Sequence, residues 1–350
     1  MKQRHLSELG DLVQPEAAAY TGPCDVKGFQ GAELQQLLRM MLLIRCVEEQ
    51  IAQWIEQGRA RCPCHLGIGQ EAIATGIARS LRRDDRLFGN HRSHGHYLAA
   101  GGDPYALLAE VLGRAAGCSA GMGGSMHLYS AAHGFYGSVP IVAGTIPIAV
   151  GAALAARMDG GNSVAVAFFG DGASEEGVMH ESLNLASSYQ LPVVFVCENN
   201  QYSSHLDITL RQPSDRVSRY ADAHRVRAAV VDGNDVCAVA RVAAELIAAA
   251  RGCEPVFLEA ITYRWRGHVG PREDLDVGVR RSMESLAAWK RRDPVRRLEE
   301  ALVANALATH EQLCLLTGEV RAQLEEAAAR ALEAPWPPQE NLPGFVYASS

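Results

Sequence analysis

Two short groups of residues have the types and spacing for one piece of chemistry. Gly170-Asp171-Gly172 breaks one apolar run and Glu198-Asn199-Asn200 closes another, with 26 residues between the glycine-flanked aspartate turn and the asparagine pair. A carboxylate and an amide carbonyl are hard oxygen donors, suited to Mg²⁺ or Ca²⁺. Glycine lets backbone come close to a phosphate, and a helix expected from about Ser174 would direct its N-terminal N–H groups at the same anion. Together the two groups describe a metal–diphosphate site. The plain alternative is a strand–helix–strand unit with turn-forming Asp and Asn; a bare GDG is usually that, and the spaced pair on two strand ends is far more specific.

The elements that must hold these groups are legible around them. Val164–Phe169 and Val193–Cys197 are short apolar runs rich in β-branched and aromatic residues, as buried parallel strands are, and a helical segment to about Gln190 joins them. Val226–Val231 and Pro255–Ile261 read as third and fourth strands, with an alanine-rich helix over Val236–Arg251. The predicted fold class is α/β, an open, mostly parallel sheet flanked by helices, in which ligands bind beyond the carboxyl ends of the strands. Upstream, apolar residues recur at helical spacing over Leu34–Gln57 and Gly58 ends that helix. Residues 1–33 read as an N-terminal arm, 34–293 as the main domain, and 294–350 as a helical tail that loses regular structure at Pro335-Trp336-Pro337-Pro338.

Four further stretches carry cations or histidines. His65 precedes a Gly67/Gly69 turn and Gln70-Glu71; a lone loop histidine is ordinarily a surface or capping residue. His91-Arg92-Ser93-His94-Gly95-His96 lacks a nearby carboxylate or cysteine partner, so anion binding by Arg92 is preferred over a transition metal. Gly113–Tyr129 is glycine-dense without the flanking strand and acidic residue of a dinucleotide site. Arg264, Arg266 and His268 follow the fourth strand, where a merely charged loop is the alternative.

The GDG–x(26)–NN pattern resembles the thiamine-diphosphate signature. Its setting, from about Leu34 to Asp293, is similar to the α subunit of two-subunit E1 components of 2-oxo acid and acetoin dehydrogenases. That resemblance implies a thiamine-diphosphate-binding fold, with Mg²⁺ held by Asp171, Asn200 and the Tyr202 backbone carbonyl. Gly170, Asp171, Gly172, Ala173, Asn200, Tyr202, His91, Arg92, Arg264 and His268 would bind the cofactor's diphosphate end, and backbone around Pro140 and Val142 its aminopyrimidine. His65, His127 and His268 become the candidate proton-transfer or substrate-positioning groups. His91 stands where the family usually has Tyr, which tilts the reading toward acetoin-type members; Val269-Gly270-Pro271 replaces the regulatory serine of mitochondrial chains, so phosphorylation control is not expected.

The resemblance also implies what lies outside this chain. The glutamate that activates the cofactor would come from a β-type subunit, giving an α₂β₂ assembly that cleaves a 2-oxo acid or acetoin and passes the acyl unit to a lipoyl-bearing acyltransferase. A carboligase handing the same unit to an aldehyde or keto-sugar, and a non-catalytic Mg²⁺–phosphate module, are the alternatives.

Bulk properties bound the rest. Net charge −7 and pI near 6.0 speak against nucleic acid or a basic membrane surface, and no apolar run approaches the ~18 residues of a span. Nine scattered cysteines fit reduced thiols; Cys62-Pro63-Cys64 has no second pair to make a zinc site. An N-terminus with Glu8, Asp11 and Glu16 and no hydrophobic segment argues against secretion, so a cytoplasmic protein is expected.

Overall fold

The structure, a computed structural model, describes residues 20–340 and Gly344. Most of the predicted arm, with its acidic residues, lies outside the described residues. Helix α1 (Gly31–Glu56) buries Leu34, Leu37, Leu38, Met41 and Leu42 on one stripe, as three- and four-residue spacing requires. Gln30 and Glu33 form a reciprocal cap at its start, and Gly58, at φ +69°, turns the chain away at its end.

The chain then alternates. Helix α2 (Glu71–Ala78) leads to strand β1 (Arg86–Gly89), and helices α3 (His94–Ala99) and α4 (Pro104–Val111) to β2 (Phe135–Ser138). Helix α5 (Thr145–Met158) precedes β3 (Ala165–Gly170), and α6 (Gly177–Tyr189) precedes β4 (Val193–Asn199). A small hairpin, β5 (Tyr202–Ser203) with β6 (Leu206–Asp207), and the short helix α7 (Arg219–Ala223) occupy the polar stretch after β4. Then come β7 (Arg227–Asp232), α8 (Val236–Arg251), β8 (Val256–Ile261), a second hairpin of β9 (Leu275–Asp276) and β10 (Val279–Arg280), and α9 (Met283–Lys290), α10 (Pro294–Ala304) and α11 (His310–Glu333).

Six strands form one sheet in the order β2-β1-β3-β4-β8-β7, every pair parallel. The predicted open parallel sheet is therefore present. β1 and β2 are strands that apolar patterning did not single out, because each is four residues long. From β1 the chain goes on to the β2 edge, and from β3 it goes the other way to β4. The crevice between the ends of β1 and β3 is thus a switch point of the topology, where ligands of open α/β sheets bind.

Alternation along the strands divides the core. Val166, Phe168, Val194 and Val196 face α1, α2, α4 and α8, while Ala165, Ala167, Phe169, Val193 and Phe195 face α5 and α6. With both faces covered the strands read as continuous apolar runs. The tail helices add to this core, since Leu298, Ala301 and Leu302 of α10 and Val320 of α11 pack with Leu34, Leu38 and Met41 of α1. On the opposite flank, α5 leaves Ile148 and Met158 more than half exposed, next to Leu185 and Tyr189 of α6 and Ile141 and Val142 before α5.

One local expectation differs. The segment after β3 is a tight 3₁₀ turn over Asp171–Glu175, and the α-helix begins only at Gly177, with Glu176 capping it. The Ser174 hydroxyl donates to the Asp171 carbonyl at 2.6 Å, closing the turn before α geometry can start. Glu175 and Glu176 therefore stand at the helix start that was expected to attract an anion.

Candidate active site

Parity along β4 decides which side chain goes where. Glu198 and Asn200 share one side, and Asn199, between them, points to the other, where its amide donates to the Asp215 carbonyl and Glu259 Oε1. Asn200 enters the crevice with its Nδ2 on Gln70 Oε1 at 3.0 Å and its Oδ1 accepting the Tyr202 N–H at 3.2 Å. At the end of β3, Asp171 is fully buried. One carboxylate oxygen pairs with Arg211, which also holds Glu175; the other, Oδ1, is buried with no partner among the described residues. Burial raises the Asp171 carboxyl's pKa and Arg211 opposes that rise.

These groups open on a cavity of about 180 Å³ at the switch point. His91, Arg92, Val142, Gly170, Asp171, Gly172, Ala173, Asn200, Tyr202 and His268 line it, so ten of the residues singled out above come together there. A Cβ on Gly172 would lie 2.5 Å from Ser203 Oγ, so that turn accepts no side chain.

Arg92 sits at the wall with 7% of its surface exposed and no carboxylate partner among the described residues. Its Nη1 donates to the Leu66 carbonyl and its Nη2 to the His268 carbonyl, each at 3.0 Å. Burial, reinforced by Arg264, pushes its pKa down to about 9. It stays cationic at neutral pH in a place where an anion would relieve it. His65, His91 and His268 form a ring cluster with centroids 4.7, 4.8 and 5.5 Å apart. Burial first, and Arg92 second, lowers their pKa values to about 3, 2 and 4. All three are neutral near pH 7, each with one nitrogen to donate and one to accept. His65 lies behind the other two, with Nδ1 buried and unpartnered.

Three predicted residues lie elsewhere. Arg264 is 1% exposed and its Nη2 pairs with Asp276 at 2.5 Å and also reaches the Ser204 carbonyl, while Nη1 donates to the Arg266 carbonyl. Asp276 also takes the His268 N–H at 2.6 Å, so Arg264 and Asp276 set the loop that carries His268 rather than facing the cavity. His127 is exposed, its Nδ1 3.2 Å from the Gly123 carbonyl. Its glycine loop wraps instead around the buried Glu110, whose carboxylate accepts four backbone N–H groups, from Ser119, Gly121, Gly123 and Gly124. Pro140 is next to the wall formed by Ile141 and Val142 without being part of it. The loop after β8 is tied by Gly267 N to the Arg272 carbonyl and Gly270 N to the Cys64 carbonyl.

Residue reasoning missed Thr145 and Arg211, and it named Glu198 at the strand end without giving it a role. Glu198 faces the cavity and its Oε1 lies 2.9 Å from His96 Nε2; its parity with Asn200 was the available signal. Thr145 Oγ1 is held by the Gly89 carbonyl at 3.0 Å. Arg211 comes from a loop 40 positions beyond Asp171, and nothing in its neighbours marks it.

The chemistry of the donors matches a divalent ion and a diphosphate: an orphaned carboxylate oxygen, an amide oxygen, a glycine turn and an unpaired guanidinium. The sequence also matches known proteins. It is 39% identical over 316 residues to the pyruvate dehydrogenase E1 component subunit alpha of Zymomonas mobilis, covering 89% of this chain and 87% of that one. It is 35% identical to the protein of the same name from Rhizobium meliloti, covering 87% of each, and 34% identical to that of Porphyra purpurea, covering 91% and 94%. The family model of the dehydrogenase E1 component matches residues 38–340, from within α1 through α11, and to that family this chain belongs.

Proposed function

We propose that this chain is the α-type subunit of a thiamine-diphosphate- and Mg²⁺-dependent dehydrogenase that cleaves a pyruvate-like 2-oxo acid and passes the acyl unit to a lipoyl acyltransferase. The observation that carries the reading is the buried, unpartnered Asp171 Oδ1 in the same cavity as Arg92, a buried cation without a carboxylate partner. Asp171, the Asn200 amide oxygen and the Tyr202 carbonyl would hold the metal. Arg92, His91, His268 and the Gly170–Ala173 backbone would hold the diphosphate, and the Pro140–Val142 segment the pyrimidine. Arg264 would act at one remove, by fixing His268 through Asp276. When bound, the cofactor would supply the electron sink for cleavage beside a carbonyl.

The residues of this chain would do the rest. The neutral His268 and His91 at the wall can donate or accept a proton at neutral pH, with His65 backing both rings. The names of the relatives point to pyruvate and do not favour the acetoin or carboligase readings. His91 in place of Tyr is then a local variation in phosphate contact. The exposed apolar flank of α5 and α6 beside the cavity mouth supports a β-type partner seated there, completing an α₂β₂ enzyme. No helix among the described residues is long and apolar enough to cross a membrane, and all nine cysteines are unbridged, in keeping with a cytoplasmic enzyme.

The test is to co-express the chain with its β-type partner and follow acceptor-dye reduction with pyruvate, branched 2-oxo acids and acetoin. Pyruvate turnover that depends on Mg²⁺ and thiamine diphosphate is expected; turnover of acetoin alone would overturn the substrate assignment.

A further inference from the structure

Cys62 and Cys64 lie directly upstream of His65, and their sulfurs are 3.7 Å apart across Pro63. The two are not equivalent. Cys62 is half-buried and borders a second, open cavity of about 710 Å³, whose wall also carries Arg59, Arg61 and Arg114. Cys64 is buried behind it. The hydrogen bond from Cys64 draws the Cys62 pKa down to about 6, and the same contact, with burial, pushes Cys64 up. Cys62 is therefore the more acidic and the more accessible thiol of the pair, which are the marks of a reactive cysteine. Behind Cys64 the Ser125 hydroxyl reaches its thiol and sits 2.8 Å from His94 Nε2, while His94 Nδ1 is 3.0 Å from Glu48 Oε1. That buried array gives the Cys64 proton a route away from the sulfur. On the other side, the Cys64 carbonyl accepts the Gly270 N–H at 2.9 Å and so anchors the loop that carries His268.

We infer that Cys62 and Cys64 form a peroxide-responsive dithiol that switches the active site off by moving His65 and releasing the His268 loop. In the first step the Cys62 thiolate attacks one oxygen of hydrogen peroxide. The O–O bond breaks, and hydroxide leaves and is protonated to water; Cys62 becomes a sulfenic acid as the peroxide is reduced. In the second step the Cys64 sulfur attacks the Cys62 sulfur, the S–O bond breaks, and a second water departs with the Cys64 proton. Two thiols and one peroxide thus give one disulfide and two waters. Closing 3.7 Å to a covalent bond must shift Cys64, and its carbonyl and the adjoining His65 move with it. The eleven-membered ring of a Cys-X-Cys disulfide is tight, which favours ready reduction and hence reversal by thiols.

The effect on turnover rests on the function proposed above, whereas the chemistry of the pair does not. The full chain, alone and co-expressed with its β-type partner, is treated with hydrogen peroxide, quenched and divided. Mapping of tryptic peptide 62–79, which contains both cysteines, is expected to show a loss of 2 Da. Limited proteolysis should cut faster within residues 264–274, turnover should fall at least tenfold, and dithiothreitol should reverse all three. Cys62→Ser and Cys62→Ala chains should keep their turnover and their cleavage pattern under peroxide. A peptide without the 2 Da loss, or equal inactivation of both variants, overturns the proposal. If no 2-oxo acid is turned over, the functional reading fails, and the mass and proteolysis readouts still decide the dithiol.

Discussion

At the scale of single residues, the site is organised by groups that lack something. Asp171 offers one paired and one free oxygen, both out of water. Removing the carboxylate in Asp171→Ala should abolish binding of thiamine diphosphate in Mg²⁺ buffer, because Mg²⁺ sheds water reluctantly and keeps few protein ligands. Calorimetric titration showing unchanged affinity would remove Asp171 from the metal site. Arg92→Lys retains charge and loses the two-pronged geometry, so affinity should fall about tenfold or more, roughly 1.4 kcal/mol. The histidine cluster makes a pH prediction. The folded values of His65, His91 and His268 are about 3, 2 and 4, below the ~6.5 of an unfolded chain. Between these values the unfolded state binds more protons, so stability is complete above pH ~6.5 and is lost as pH falls toward 4. The melting temperature should drop across that window and drop less in His268→Gln; equal slopes for the two proteins would show that the cluster does not set it.

At the scale of elements, charge staples matter as much as apolar burial. Asp232, at the end of β7, accepts from Arg292 at 2.6 Å and from Arg297 of α10 at 2.8 Å, both nearly or fully buried. Asp232→Asn strands Arg292 away from water and leaves Arg297 with Asp235 alone, and a loss of about 3–5 kcal/mol is expected in denaturant titration. A cost under 1 kcal/mol would mean that water reaches the pair. Gly69 is another fixed point. It sits at φ +99° with Trp265 2.5 Å from where a Cβ would lie, so Gly69→Ala must displace the turn after His65. What could be read from the sequence follows the same division. β3, β4 and β8 were legible because burial on both faces makes their runs mostly apolar, β3 throughout, β4 up to Cys197 and β8 but for Glu259. The GDG turn and Asn200 were legible because spacing along two adjacent strands is local information. The Arg264–Asp276 pair and the Asp171–Arg211 pair were not, since each partner is one of many charged residues until the fold picks it. The start of α6 was missed because a 3₁₀ turn and a first α-turn look alike in composition.

At the scale of the whole molecule, the exposed side chains of α5 and α6 set the expectation for assembly. Ile148, Met158, Leu185 and Tyr189 on one flank predict that the chain alone self-associates and that the β-type partner suppresses this. Sedimentation of the chain with and without its partner checks it, and a well-behaved monomer with no affinity for that partner would contradict it. The other flank has a different consequence. The stripe of α1 is covered by α10 and α11, which follow it at long sequence distance. At about 5–20 residues per second, α1 leaves the ribosome some 15–60 s before its cover exists. For that interval Leu34, Leu38 and Met41 have only part of their final packing, against Ala72 of α2 and later Val236 and Cys237 of α8, so the nascent chain carries an incompletely covered apolar stripe that the finished fold no longer displays.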